Sequence, residues 1–195
     1  MIITPDPHPL DFSKSDLIRS QGLHASDIYG ALYARLDPKR YDYTGPPNML
    51  LMSLGTAWEV QLEYLLMANG VKAHRPGELQ SPEGIYYSPD LIIQNGETRV
   101  GEIKLTSMSF DDIPDARPLT CPGAMISLPP KFDKYQTQMM LYAYWLELTH
   151  GWLGMVSIRK PYAPEFRAYN ISWAERELDS NYRMCMNFAK SEGML

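Results

Sequence analysis

Residues 86–107 read YYSPDLIIQNGETRVGEIKLTS. Two apolar runs of strand length flank Asn95-Gly96, a dipeptide that favours a tight hairpin turn. A hairpin built only to fill a core has no use for Asp90 on its first strand, or for Glu102 and Lys104 on its second. Glu102 and Lys104 are two apart and so share one face. The turn decides where Asp90 goes. A two-residue Asn95-Gly96 turn sets Asp90 opposite Gly101, on the other face. A three-residue or bulged turn sets it opposite Glu102 or Val100 and brings all three polar residues together. An Asn-Gly sequence suits both. The bulged or longer loop is the expectation, because it gives the three polar residues a common purpose.

Facing carboxylates repel. At 4 Å the repulsion is about 1 kcal/mol in water and about 4 kcal/mol at an effective dielectric of 20. A divalent cation reverses that sign, and all-oxygen ligands favour a hard ion, Mg²⁺ or Mn²⁺. The lysine beside them can orient a water or stabilise charge on a phosphate. Such a set suits metal-assisted phosphodiester hydrolysis. The competing reading is an ordinary cross-strand ion pair on an exposed face, which contributes little.

Working outward from the hairpin, HASDIYGALYARLD predicts a helix capped by Ser26, with Ile28, Leu32 and Leu36 on one face. Residues 37–48 read as loop. MLLMSLGTAWEVQLEYLLMANG predicts a second helix with Gly70 past its end, and VKAHR a short strand. Residues 107–130 crowd prolines, acids and small residues into a long excursion, a length that in a compact domain is functional or disordered. KFDKYQTQMMLYAYWLELTHG predicts a third helix. WLGMVSIRK and EFRAYNISW predict strands, and SWAERELDSNYRMCMNFAKSEG a closing helix capped by Ser172. The order is helix, helix, strands, helix, strands, helix. It predicts an α/β or α+β fold in which helices flank a mixed sheet.

The motifs along this order resemble those of the PD-(D/E)xK nuclease superfamily. Pro89-Asp90, eleven intervening residues and Glu102-Ile103-Lys104 match its signature. Pro5-Asp6 and Pro114-Asp115 lack the acid-x-Lys element downstream. Gly55-Thr-Ala-Trp-Glu59 resembles the family's Gly-x-x-x-acid helix motif, and Gln138-Met-Met-Leu-Tyr142 the Gln-x-x-x-Tyr motif of its RecB-like branch. Gln138 and Tyr142 are four apart and share a helix face. The resemblance covers roughly residues 20–190. It implies a restriction-endonuclease-like core in which Glu59, Asp90, Glu102 and the Ile103 carbonyl hold one or two Mg²⁺ or Mn²⁺ ions. Lys104 would position the attacking water, with Gln138 and Tyr142 steadying the lysine or the scissile phosphate. Glu63, one turn after Glu59, is a substitute ligand. Many RecB-like relatives carry His where this chain has Glu59, whereas lambda-exonuclease-like members carry Glu. CRISPR-associated relatives use four cysteines for an iron–sulfur cluster; this chain has two cysteines in all, so no cluster is expected.

The implied activity is a metal-dependent DNA exonuclease of recombination, repair or phage replication. An endonuclease of the same superfamily and a non-cleaving DNA-binding subunit are the alternatives. DNA ends, single- or double-stranded, are the implied partner, with a second copy or a recombination or replication protein as further partners. Arg35, Lys39 and Arg40 before the second helix, and Lys131, Lys134 and Tyr135 at the third, are the candidate DNA contacts; singly, each also reads as a solvated turn.

The totals bound these readings. A length of 195 residues predicts one nuclease domain, 1–195, with residues 1–14 as a Pro-rich extended arm. Apolar residues at 45% and charged residues at 21% are ordinary for a globular chain. A net charge of -5 counts against a protein that coats nucleic acid nonspecifically but allows a local grip on a few phosphates. The start has no signal-peptide pattern, and the longest apolar run, MMLYAYWLEL, is too short to span a bilayer. Cys121 and Cys185 stand far apart, which suits a reducing cytoplasm, the host's if the chain is phage-encoded. The four histidines form no zinc spacing, and the twelve methionines scatter as core filler.

Overall fold

The structure, a computed structural model, describes residues 20–38, 49–106, 132–159 and 165–195, without the side chains of 49–52. Its described elements are α1 (Ala25–Leu36), α2 (Met49–Ala68), β1 (Lys72–His74), β2 (Leu79–Gln80), β3 (Tyr86–Tyr87), β4 (Leu91–Asn95), β5 (Glu97–Thr106), α3 (Asp133–Trp145), β6 (His150–Ser157), β7 (Glu165–Ser172) and α4 (Glu175–Ser191). The extended arm at 1–14, the excursion at 107–130, and Lys39, Arg40 and Lys131 lie outside the described residues.

The hairpin takes the longer turn. Asn95 pairs with Glu97, Gln94 with Thr98 and Leu91 with Gly101. Gly96 stands between the paired strands at φ +77°, a left-handed conformation that glycine adopts without a Cβ clash. One step beyond Leu91, the register sets Asp90 opposite Glu102.

Five strands form one sheet in the order β1-β4-β5-β6-β7. β1–β4, β4–β5 and β6–β7 are antiparallel, whereas β5–β6 is parallel. A parallel pair needs a crossover, and α3 lies within it. The sheet is therefore mixed and the fold α/β, as expected. β2 and β3 form a separate two-stranded ribbon. Tyr86-Tyr87 belongs to that ribbon, not to the first strand of the hairpin, because Ser88-Pro89 breaks the run.

Side chains alternate along β5 and β6 and divide the core in two. Val100, Leu153 and Met155 pack with Ile28 and Leu32 of α1, Met139 and Leu141 of α3, and Cys185 and Met186 of α4. Ile103, Trp152 and Val156 face the other way, with Leu91 and Ile93, against Leu62, Trp58 and Leu66 of α2. Three helices thus cover one face and α2 the other.

Two helix caps and one buried position depart from the sequence reading. α1 begins a residue before Ser26, with His24 as N-cap; the Asp27 carboxylate accepts the His24 N–H at 3.0 Å. α4 begins after Ala174, and Glu177 accepts the Ala174 N–H at 2.7 Å, while Ser172 ends β7. In both helices an acid in the first turn accepts the N–H of the N-cap residue itself, the reverse half of a capping box, and no hydroxyl stands at the N-cap. Leu36 is 65% exposed at the end of α1, where the helix has run past the core. α2 ends as expected: Gly70 at φ +78° and the bonds Gly70 N–H to Met67 and Val71 N–H to Leu66 make a Schellman cap.

Candidate active site

Glu102 is the centre. It sits on β5 between the parallel partner β6 and the antiparallel partner β4, and is fully buried. Its Oε1 accepts hydrogen bonds from the Lys104 ammonium and from Gln138 Nε2, the latter at 2.6 Å. Its Oε2 is buried and has no partner. Asp90 lies beside it, and Asp90 Oδ2 accepts the Ile103 N–H at 2.7 Å. The β4–β5 ladder stops at Leu91–Gly101, so this strand N–H lies beyond it and fixes the aspartate instead.

Glu59 reaches the same region from α2, across the sheet. Its Oε2 takes the Arg75 guanidinium at 2.7 Å. Its charge is felt at Glu102, and the charges of Asp90 and Lys104 are felt at it. Glu63 lies one turn further along α2. The Glu63 carboxylate accepts the backbone N–H of Arg75 at 3.0 Å and anchors the chain after β1.

The electrostatics follow from crowding acids into a poorly solvated site. Burial, then the Asp90 charge, push Glu59 up to about 7 against the pull of Arg75 and Lys104. Burial and Asp90 push Glu102 up to about 8, although Lys104 opposes them. Burial likewise raises Asp90 against Lys104, the Ile103 N–H and Arg75. Burial works against a charged Lys104 too, but Glu102 and Asp90 outweigh it and hold the lysine well above its ordinary value. Two cations, Lys104 and Arg75, pair with three carboxylates. An acid left without a cation takes up a proton more readily, or a metal ion when one is present.

Gln138 and Tyr142 meet as their spacing predicted. Gln138 Nε2 is 3.4 Å from the Tyr142 hydroxyl. The glutamine donates to Glu102, on the same oxygen that takes the Lys104 ammonium, and both Gln138 and Tyr142 are buried. Tyr135 lies under the Lys104 ammonium, 5.1 Å from ring centroid to Nζ, which fixes the lysine's stem and leaves the ring as part of the wall. Lys134 stands over the Tyr29 ring at 5.8 Å, and burial followed by the nearby Lys104 charge lowers its pKa. Arg35 is elsewhere, paired with Glu192 at the exposed end of α4.

Two residues joined the site without being singled out in sequence. Tyr29 of α1 shares a hydrogen bond with the Tyr142 hydroxyl and feels the charges of Glu102 and Lys104. It lies next to Ile28 on a face that reads as core. Arg75 follows a short edge strand, and nothing in its neighbourhood marks it.

Among the described residues, no three His, Cys, Asp or Glu side chains stand grouped to hold a metal ion. Each acid is turned to a partner within the protein. The chemistry of the donors nonetheless fits a hard divalent cation: oxygen ligands, acids held against their ordinary ionisation, and one buried carboxylate oxygen with no hydrogen bond.

No protein-family model and no curated protein matches the chain. Solved structures do. An alkaline exonuclease, LHK-Exo, from Laribacter hongkongensis is similar at 16% identity, over 88% of this chain and 89% of that one, with a TM-score of 0.48. LHK-Exo in complex with dAMP is similar at 15% identity, over 88% and 89%, with the same TM-score of 0.48. A structure described as that of SSO0001 is similar at 16% identity, over 89% of this chain and 79% of that one, with a TM-score of 0.42. Likenesses this distant carry no weight for chemistry, so the case for function rests on the site.

Proposed function

We propose that the chain is a metal-dependent deoxyribonuclease that degrades DNA from its ends. The observation that carries this reading is the meeting of Asp90, Glu102 and Lys104 with Gln138 and Tyr142. Three separate stretches of sequence supply one buried polar cluster with more acids than paired cations. A cross-strand ion pair on an exposed face would need none of that burial and none of the glutamine.

Glu59, Asp90 and Glu102 would hold Mg²⁺ or Mn²⁺, with the Ile103 carbonyl as a further ligand. Such an ion, when bound, polarises a phosphoryl oxygen and acidifies water. Lys104 remains protonated beside its two acids, so it acts as a hydrogen-bond donor and not as a base. It orients the attacking water or neutralises charge growing on the phosphate. Gln138 keeps Glu102 Oε1 turned toward Lys104 and leaves Oε2 available. Tyr142 holds the glutamine amide. The preference for ends, and a role in recombination, repair or phage replication, rest on the RecB-like spacing of Gln138 and Tyr142.

The test is a nuclease assay on wild type, Asp90→Ala and Lys104→Ala. Each protein meets linear single-stranded, linear double-stranded and closed circular DNA, with Mg²⁺, Mn²⁺ or EDTA. Loss of linear DNA alone, dependent on metal and absent from both variants, supports the exonuclease. Cutting of closed circles supports an endonuclease. Salt-dependent binding with no cleavage makes the chain a DNA-binding subunit. Full activity in Lys104→Ala removes the mechanism.

A further inference from the structure

Arg75 occupies a position that the proposed reaction does not need. It follows β1 at the edge of the sheet, and its backbone N–H is fixed by Glu63 at 3.0 Å. Its side chain is therefore the part free to move. That side chain turns inward to Glu59 at 2.7 Å, and its charge also reaches Asp90. The pair is only partly enclosed, with the arginine side chain 34% exposed and the glutamate 20%. Glu59 thus has a cation from the protein on the carboxylate through which it would hold a metal ion.

We infer that Arg75 is an exchangeable counter-ion of the site: it pairs with Glu59 while no metal is bound, and turns to a DNA phosphate once a metal takes that carboxylate. The inference rests on the nuclease reading above. A guanidinium and a divalent cation cannot both take the same carboxylate oxygen at full strength, so binding of one weakens the other. The released guanidinium stays tethered at the mouth of the site. Its planar fork matches a phosphate with two parallel hydrogen bonds, which an ammonium cannot do. The arrangement keeps the acids from repelling one another in the empty site and supplies a phosphate contact only in the loaded one.

The experiment uses the full chain and Arg75→Gln, which leaves the backbone bond to Glu63 in place. Free Mn²⁺ is titrated against each protein by electron paramagnetic resonance at mildly alkaline pH. Arg75→Gln should bind Mn²⁺ more tightly by roughly two- to fivefold, the weight of one partly exposed ion pair. A merely structural arginine would not move affinity in that direction, and unchanged or weaker Mn²⁺ binding overturns the competition. DNA affinity is then read against salt in a Lys104→Ala background, with Mn²⁺ and with EDTA. Adding Arg75→Gln should flatten the log–log slope by about one with Mn²⁺ and leave it unchanged in EDTA. An equal change in both conditions, or none in either, overturns the exchange. Wild type that binds no Mn²⁺, or binds it as well after Asp90→Ala, sinks the nuclease reading itself. Wild type that binds through Asp90, with Arg75→Gln showing no gain, sinks only the role of Arg75.

Discussion

Replacing Glu102 by glutamine should make the metal-free protein more stable in alkaline solution. Glu102 is fully buried, with one oxygen held by Lys104 and Gln138 and the other without a partner. Burial and the Asp90 charge move its pKa from 4.5 to about 8. A folded-state value above the unfolded one means that folding favours the protonated carboxyl. The stability tied to that proton is complete below about pH 4.5 and is lost as the pH rises through about 8. At about 1.36 kcal/mol per pH unit, the interval from 4.5 to about 8 corresponds to a ceiling of ~5 kcal/mol. Glutamine returns part of this, because an unpaired buried amide costs about 1–3 kcal/mol. A net gain of about 2–4 kcal/mol shifts the melting temperature of a chain this size by roughly 5–15 °C. The assay is thermal melting in EDTA, from about pH 5 to about pH 9, for wild type and Glu102→Gln. The curves should cross, with the variant higher at alkaline pH and equal or lower in acid. Parallel curves, or a wild type that is the more stable near pH 9, would refute the reasoning. They would mean that Lys104 and Gln138 compensate the buried charge in full.

Saturating Mn²⁺ should raise the melting temperature of wild type more than that of Glu102→Gln, since a ligand bound only by the folded state stabilises it; equal shifts would remove Glu102 from the ligand set. Gly151→Ala should cost about 1–3 kcal/mol in urea unfolding, because a Cβ there would lie 2.4 Å from the Trp173 ring and 2.8 Å from Met139. Glu83→Gln should cost about 1 kcal/mol by weakening the acceptor of the Trp145 Nε1–H and the Tyr182 hydroxyl. Burial opposes the Glu83 charge, but those hydrogen bonds and others lower its pKa overall, so its contribution is present above the ordinary glutamate range and is lost as the pH falls through the folded value. Acid-melting curves of the two proteins should therefore converge. Burial pushes the Cys185 thiol up to about 12, so in a Cys121→Ser background a disulfide reagent should label the chain only after denaturant is added.

Much of this was legible in the residues, for identifiable reasons. Glu102 and Lys104 had to share a face because strand periodicity is two, and Gln138 and Tyr142 because helix neighbours are four apart. Asp90 was ambiguous until the turn was seen, since Asn95-Gly96 serves turns of either length. The caps differ from the hydroxyls at Ser26 and Ser172 because Asp27 and Glu177 fix the start of each helix by accepting the N–H of His24 and Ala174. Arg75 was invisible because its meaning lies in Glu59, sixteen residues away on another element. Tyr29 was hidden for a different reason: a buried aromatic beside Ile28 carries the same signature whether it packs or hydrogen-bonds. What periodicity governs could be read, and what depends on one long-range contact could not.

The pairing of Asn95 with Glu97 around Gly96 imposes a parity condition on the chain. A substitution at the tip alters strain or stability but leaves every strand residue on its own side. Adding or removing one residue, where the strands re-pair around a tip of the same geometry, exchanges inside for outside along the whole of β4. Asp90 would leave Glu102, and Leu91 and Ile93 would leave the core, through an event at the far end of the hairpin. A change of two restores the sides, and a change of one survives only if a bulge restores the count. The chemistry at one end of the hairpin is thus hostage to arithmetic at the other, and any version of this chain that keeps its acids together must hold the Asp90–Glu102 register, by an even change at the tip or by a loop or bulge that absorbs an odd one.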